Sequence, residues 1–232
     1  MHAPISSRGP RTAAFTLIEL LTVIAIIAIL MALLLTGITG AKEQVRRSAA
    51  KAALVEILGA CTSYQNDYGK FPPVDAALIG DVNTNGLYAY GDTGEGKCAV
   101  TNDSLFDILR AIDRGVNKDH AMNRRRQSYL TAKVATGGAN PRDGFCDGNE
   151  FPSTQGRFMD PWGGQYCVVL SASVSLDMSR FYSDLSGPMG VLHVPAAGFA
   201  MGKDGKRGGT GYEGRYQKPN SSEAADDIVS WR

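Results

Sequence analysis

The chain has 232 residues, 44% of them apolar and 20% charged, with a formal charge of +1 and a mean hydropathy of −0.14. That length supports one globular domain with a core of its own. The near-neutral balance excludes a strongly basic nucleic-acid binder, and the apolar content excludes wholesale disorder. Glycine has no three-residue period, so collagen is excluded as well. The averages conceal an asymmetry. Only Gly9, Gly37, Gly40, Gly59 and Gly69 of the 27 glycines precede residue 80, so a helix-forming front gives way to a turn-rich body.

From Phe15 to Leu35 the chain reads FTLIELLTVIAIIAILMALLL, with a single charge at Glu19. About 21 such residues in a helix are long enough to cross a hydrocarbon core. The leader before it, MHAPISSRGPRTAA, is short and polar and contains Arg8 and Arg11 but no acid. A secretory signal has the same order, yet its apolar region is usually only ~7–15 residues. A carboxylate within a membrane helix is costly unless it reaches water or is neutralised by a partner. The obvious partner is an amine, and the nearest is one that cleavage before Phe15 would create.

These residues carry a family resemblance. A basic leader followed by FTLIELLTVIAIIAIL is similar to the type III signal of type IV pilins and type II secretion pseudopilins. The resemblance implies that a prepilin peptidase cuts between Ala14 and Phe15 and that the new Phe15 amine is methylated. It implies that Glu19, the fifth mature residue, pairs with the terminal amine of a neighbouring subunit during filament assembly. The family usually has Gly before the cut, where this chain has Ala14. Removing Arg8 and Arg11 with the leader takes the formal charge from +1 to −1. Charge counting alone does not choose an orientation, because Lys42, Arg46, Arg47 and Lys51 follow the apolar run. The resemblance implies an N-terminus on the cytoplasmic side of a bacterial inner membrane and a periplasmic C-terminal domain.

Residues 41–68 keep a helical apolar period through Val45, Ala49, Ala53, Ile57, Ala60, Cys61, Tyr64 and Tyr68. Gly69 and Pro72-Pro73 predict its end, giving one helix over about 15–68. The stretch 75–102 reads as loop. Asp103-SLFDILRAID reads as a second helix capped by Asp103 or Ser104, and 113–158 reads as polar and irregular. The run Arg124-Arg125-Arg126 reads as a solvated turn. Residues 166–170, YCVVL, predict a strand. A second strand in 191–202 is interrupted by Pro195, and Ile228-Val-Ser-Trp is a last strand or a cover. The fold class expected is α+β, a long N-terminal helix on a small antiparallel sheet. It divides into a leader (1–14), an apolar assembly segment (15–40), the rest of the helix and its turn (41–74), an inserted region (75–158) and a C-terminal sheet with a Gly-Asp loop (159–232).

The order of YQNDYGKFPP, DPWGGQY at 160–166 and GFAMGKDGKRGG ending in ADDIVSW resembles the major pseudopilin of type II secretion. The resemblance implies calcium at the C-terminal loop, held by Asp204 and Asp227, with Asp226 as a further candidate whose alignment shifts with the expanded loop. Calcium takes six to eight oxygens, so backbone carbonyls near Ala200–Lys203 would have to join them. Asp160-Pro-Trp-Gly163 reads as a structural turn with Trp162 covering the core. Cys61, Cys98, Cys146 and Cys167 are candidates for one or two disulfides in an oxidising compartment, and all three connectivities stay open. His2, His120 and His193 form no ligand motif, and no nucleophile elbow, phosphate loop or His-Glu-x-x-His motif occurs in the sequence.

The resulting expectation is a non-enzymatic subunit of a homo-oligomeric, membrane-derived filament. Its partners would be prepilin peptidase, minor pseudopilins and an inner-membrane assembly platform, with no nucleic acid. Two other readings compete. One is a type IV pilus subunit for adhesion, motility or DNA uptake; the other is an extracytoplasmic enzyme or receptor that uses the apolar segment only as an anchor.

Overall fold

The computed structural model describes residues 16–72, 87–91, 98, 100–171, 175–178, 181, 191–205 and 226–231, and for 34–37, 39 and 177 the backbone alone. Its elements are α1 (Leu17–Tyr68), β1 (Leu87–Tyr90), α2 (Asp103–Leu109), β2 (Gly144–Phe145), β3 (Phe158–Met159), β4 (Cys167–Ser171), β5 (Leu176–Asp177), β6 (Val191–Leu192), β7 (Ala196–Ala200) and β8 (Ile228–Val229), with a 3₁₀ segment at Gly115–His120. The architecture is α+β, as expected. The chain divides into two compact units, Met1–Val45 and Arg46–Arg232.

The first unit is the front of α1. Its large apolar side chains are exposed on every face, from Leu17 (81%) through Ile24 (57%) to Leu33 (69%). Among the described residues no helix is long and apolar enough to cross a membrane. The side chains of 34–37 and 39, which fall in the expected span over 15–40, lie outside the described residues.

In the second unit the rear of α1 buries Ala50, Leu54, Ile57, Ala60, Cys61 and Tyr64. From Ile57 onward the face is the expected one, with Tyr68 packed against the core; in the turns before it Ala49 is exposed and Ala53 only partly covered, while Ala50 and Leu54 point inward. The reason lies across the interface. A Cβ on Gly198 of β7 would sit 3.0 Å from Leu54 Cδ2, so the glycine leaves the space that the leucine fills. Gly69 ends the helix at φ +71°, its N–H donating to Gln65 O at 2.7 Å.

The sheet is antiparallel with order β1-β4-β7-β8, Tyr90 opposite Val168, Val168 opposite Gly198 and Ala200 opposite Ile228. Alternation splits its side chains. Tyr90, Val168, Leu170, Ala200 and Ile228 share the core that includes α1. Cys167, Val169, Ala197, Phe199 and Val229 face a second core with Leu176, Met178 and Phe181 beside the β5-β6 pair. Covered on both faces, β4 is buried throughout, which explains its uninterrupted apolar run. The predicted strand in 191–202 is two strands: β6 and β7 part at 193–195, where Pro195 O accepts the Ser171 N–H.

Two expectations for the inserted region are corrected. Part of the predicted 75–102 loop is β1, which pairs with β4. The second helix stops at Leu109, and its N-cap is Asn102 rather than Asp103 or Ser104. Asn102 makes no side-chain cap because its amide serves the sheet: Nδ2 donates to Phe158 O (2.9 Å) and Tyr166 O (3.0 Å), and Oδ1 accepts the Phe158 N–H (3.2 Å). The region 113–158 has the irregular backbone expected, broken only by the 3₁₀ segment, β2 and β3, but it is closely packed. Phe145 and Phe158 stack across the β2-β3 pair at 4.3 Å, Phe106 of α2 meets both edge-on, and Arg110 lies over the Phe145 ring.

Buried polar groups complete that packing. Arg114 grips Asp107 from Nε (2.9 Å) and Nη2 (2.5 Å), and burial raises the Asp107 carboxyl against the pull of that guanidinium. Asn117 and Asn123 satisfy the turns after α2, Asn117 Nδ2 donating to Ile112 O and Asn123 Nδ2 to Ile108 O and Gln127 O. Arg125 is more than a solvated residue. It pairs with Asp67 at 3.1 Å, and its N–H donates to Tyr68 Oη, fastening 122–129 to the end of α1.

Candidate processing and assembly site

Glu19 stands in the first turn of α1, exposed. Its Oε2 accepts the Thr16 N–H at 2.9 Å and the Thr16 hydroxyl at 2.8 Å, and its own N–H donates to Thr16 Oγ1 at 3.3 Å. This is a capping box: each residue satisfies a donor that the helix start leaves open. The sequence signal was present in Thr16-Leu-Ile-Glu19, a Ser/Thr-x-x-Glu pattern immediately before an apolar run. Sequence reasoning singled out Glu19 and missed Thr16. Ala14 and Phe15, the expected cleavage pair, lie outside the described residues.

Asp204 and Asp226 are brought together at the two ends of the Gly-Asp loop. Asp226 Oδ2 accepts the backbone N–H groups of Lys203 (2.5 Å) and Asp204 (3.0 Å). Gly202, at φ +65°, permits this closure, since a Cβ there would sit 2.4 Å from Asp226 O. Asp227 is 6% exposed at the start of β8. One Asp226 oxygen therefore already faces amide hydrogens. Among the described residues no group of three His, Cys, Asp or Glu side chains is placed to hold a metal ion, and residues 206–225 lie outside them.

The four cysteines are buried in three different clusters: Cys61 in the main core, Cys98 and Cys167 in the second, Cys146 in a third with Ala135, Phe151 and Met159. Burial pushes the Cys61 thiol up to about 12, so it is a packing group and not a nucleophile. His193 is exposed and His120 partly so. Trp162 packs on the main core, and Asp160 is fully buried beneath its turn.

Residues 10–35 match the family model for the prokaryotic N-terminal methylation motif, the prepilin-type signal of type IV pilin-like proteins. The match covers the N-terminal segment alone. It supports a type IV pilin-like or pseudopilin subunit, a structural class of protein. No curated protein and no solved structure matches the chain.

Proposed function

We propose that the chain is a pseudopilin-like filament subunit that supports protein export by type II secretion, made as a precursor and cut between Ala14 and Phe15 by prepilin peptidase. The observation that carries this reading is the methylation motif at 10–35 with Glu19 at the head of a helix whose apolar side chains are exposed on all faces. Such a surface is not stable in water and has to be covered by lipid or by like helices. The helix would first anchor the precursor in the inner membrane with its C-terminal domain periplasmic, then pack among other copies of itself. In the filament Glu19 would leave Thr16 for the methylated Phe15 amine of the next subunit, exchanging a local cap for an ion pair away from water.

The secretion reading, as against a true pilus, is supported by the order of YQNDYGKFPP, DPWGGQY and GFAMGKDG along the chain. Calcium at the Gly-Asp loop belongs to the same reading. Asp204, Asp227 and the second oxygen of Asp226 would be its carboxylate donors, and the ion would neutralise acids at a loop closure. Deleting the gene and measuring secreted cargo beside surface adhesion and motility tests the assignment. Loss of secretion with motility and adhesion intact is expected; the reverse pattern assigns a pilus subunit, and no change in any of them overturns the filament reading.

A further inference from the structure

The turn between β3 and β4 is built around a carboxyl group with unequal oxygens. Asp160 is fully buried, and its Oδ1 accepts three backbone N–H groups, from Trp162 (2.8 Å), Gly163 (2.8 Å) and Gly164 (2.9 Å). Its Oδ2 is buried too and, among the described residues, accepts no hydrogen bond. Gly164 lies close above that oxygen and leaves it room, since a Cβ there would sit 3.0 Å from Oδ2. A purely structural Asx turn needs only Oδ1. The second oxygen is chemistry that the turn does not use, and a buried oxygen of this kind is more costly ionised than protonated.

We propose that Asp160 is a proton-binding site of the folded domain, taking up a proton at Oδ2 on mild acidification so that the C-terminal domain becomes more stable as pH falls. Among the described residues the charged and titratable groups around it are few. Arg142 acts on the carboxylate from the preceding loop and favours its ionised form. Asp143 donates its backbone N–H to Asp160 O and turns its own carboxylate to Lys133, and Tyr166 follows the turn. Burial outweighs Arg142 and the three N–H donors and pushes the carboxyl up to about 6 from an ordinary 3.8.

The sign follows from linkage. A carboxyl group raised in the folded state holds its proton more tightly there than in the unfolded chain. Its contribution to stability is complete below the ordinary carboxylate pKa and is lost as pH rises through the folded value. Each unit of separation is about tenfold in the folding equilibrium constant, so the full effect is about a hundredfold. Asp107 is also raised by burial and works in the same direction, so the whole-domain pH profile cannot isolate Asp160. Asp160→Asn can, because the amide oxygen still accepts the three N–H groups while the charge is gone.

The test uses the full chain in detergent. The ¹³Cγ resonance of Asp160 should titrate with a midpoint near 6, and the Tm difference between Asp160→Asn and the wild type should move in the wild type's favour on acidification from pH 7.5 to pH 5. A ¹³Cγ midpoint at or below the ordinary aspartate value, or a Tm difference unchanged between those pH values, overturns the proposal. If Asp160→Asn does not fold, the wild-type titration decides alone.

Discussion

Thr16 and Glu19 close the head of α1 on each other, with Glu19 Oε2 2.9 Å from the Thr16 nitrogen and 2.8 Å from its hydroxyl. Membership of a capping box and pairing with another subunit's amine are alternative uses of one carboxylate. Glu19→Leu removes both and should abolish filaments while leaving membrane insertion intact. Thr16→Ala removes the hydroxyl that competes for the carboxylate and keeps Glu19 for the neighbouring amine, so filaments should still form with a yield at or above the wild type. Electron microscopy of sheared filaments, beside membrane fractionation, reads both. Normal filaments from Glu19→Leu would remove the pairing role.

The mature N-terminus checks the processing claim most directly. Intact-mass measurement of the protein from membranes should show a chain beginning at Phe15 and carrying one added methyl group. Ala14 stands where the family has Gly, so Ala14→Gly should increase the processed fraction in a pulse-chase experiment. A chain still beginning at Met1 excludes the filament reading in either form and leaves the anchor reading.

How much of this was legible in the sequence depended on the range of the interaction. The first helix, its stop at Gly69 and the β4 strand follow from periodicity and local turn chemistry, which act within a few residues. The inward face of α1 is as read from Ile57 to Tyr64 and differs only before it, where the choice of Leu54 over Ala53 is made by Gly198, far along the chain. The close packing in 113–158 was invisible for a similar reason. Asn117 and Asn123 look like solvated loop residues until the partners that satisfy them are in place. At the candidate site the family signal was local and readable, as was the capping pattern that reasoning passed over.

Asn102 is the sharpest test of that hidden packing. Its amide joins the start of α2 to Phe158 and Tyr166 through three buried hydrogen bonds. Asn102→Ala would withdraw a partner from the Tyr166 carbonyl and the Phe158 N–H, while Phe158 O keeps the Tyr166 N–H at 3.3 Å. With ~1–3 kcal/mol for each buried group left unsatisfied, offset by some relaxation, the loss should be about 3 kcal/mol. Urea denaturation of the full chain in detergent measures it. Asn102→Asp should be little better, since the carboxylate cannot donate to two carbonyls and would be buried with its charge. A loss within ~0.5 kcal/mol, the range typical of surface substitutions, would show that the inserted region is held by its aromatic stack alone.

The calcium reading can be decided at Asp226, whose Oδ2 already closes the loop through the Lys203 and Asp204 N–H groups. A cation added beside Asp204 and Asp227 would bind the folded loop and not the unfolded chain, so saturating calcium should raise Tm relative to chelator. At a hundred times the dissociation constant the linkage gain is about 2.7 kcal/mol, a shift of a few degrees for a domain of this size. Asp226→Asn keeps an oxygen for the two N–H groups but withdraws a charge from the cation, so it should weaken the calcium response more than it lowers the metal-free Tm. Asp204→Asn should do the same without touching the amide closure. If wild-type melting is identical in calcium and in chelator, the loop is closed by the Asp226 hydrogen bonds alone. Asp226→Ala should then lower Tm equally in both conditions.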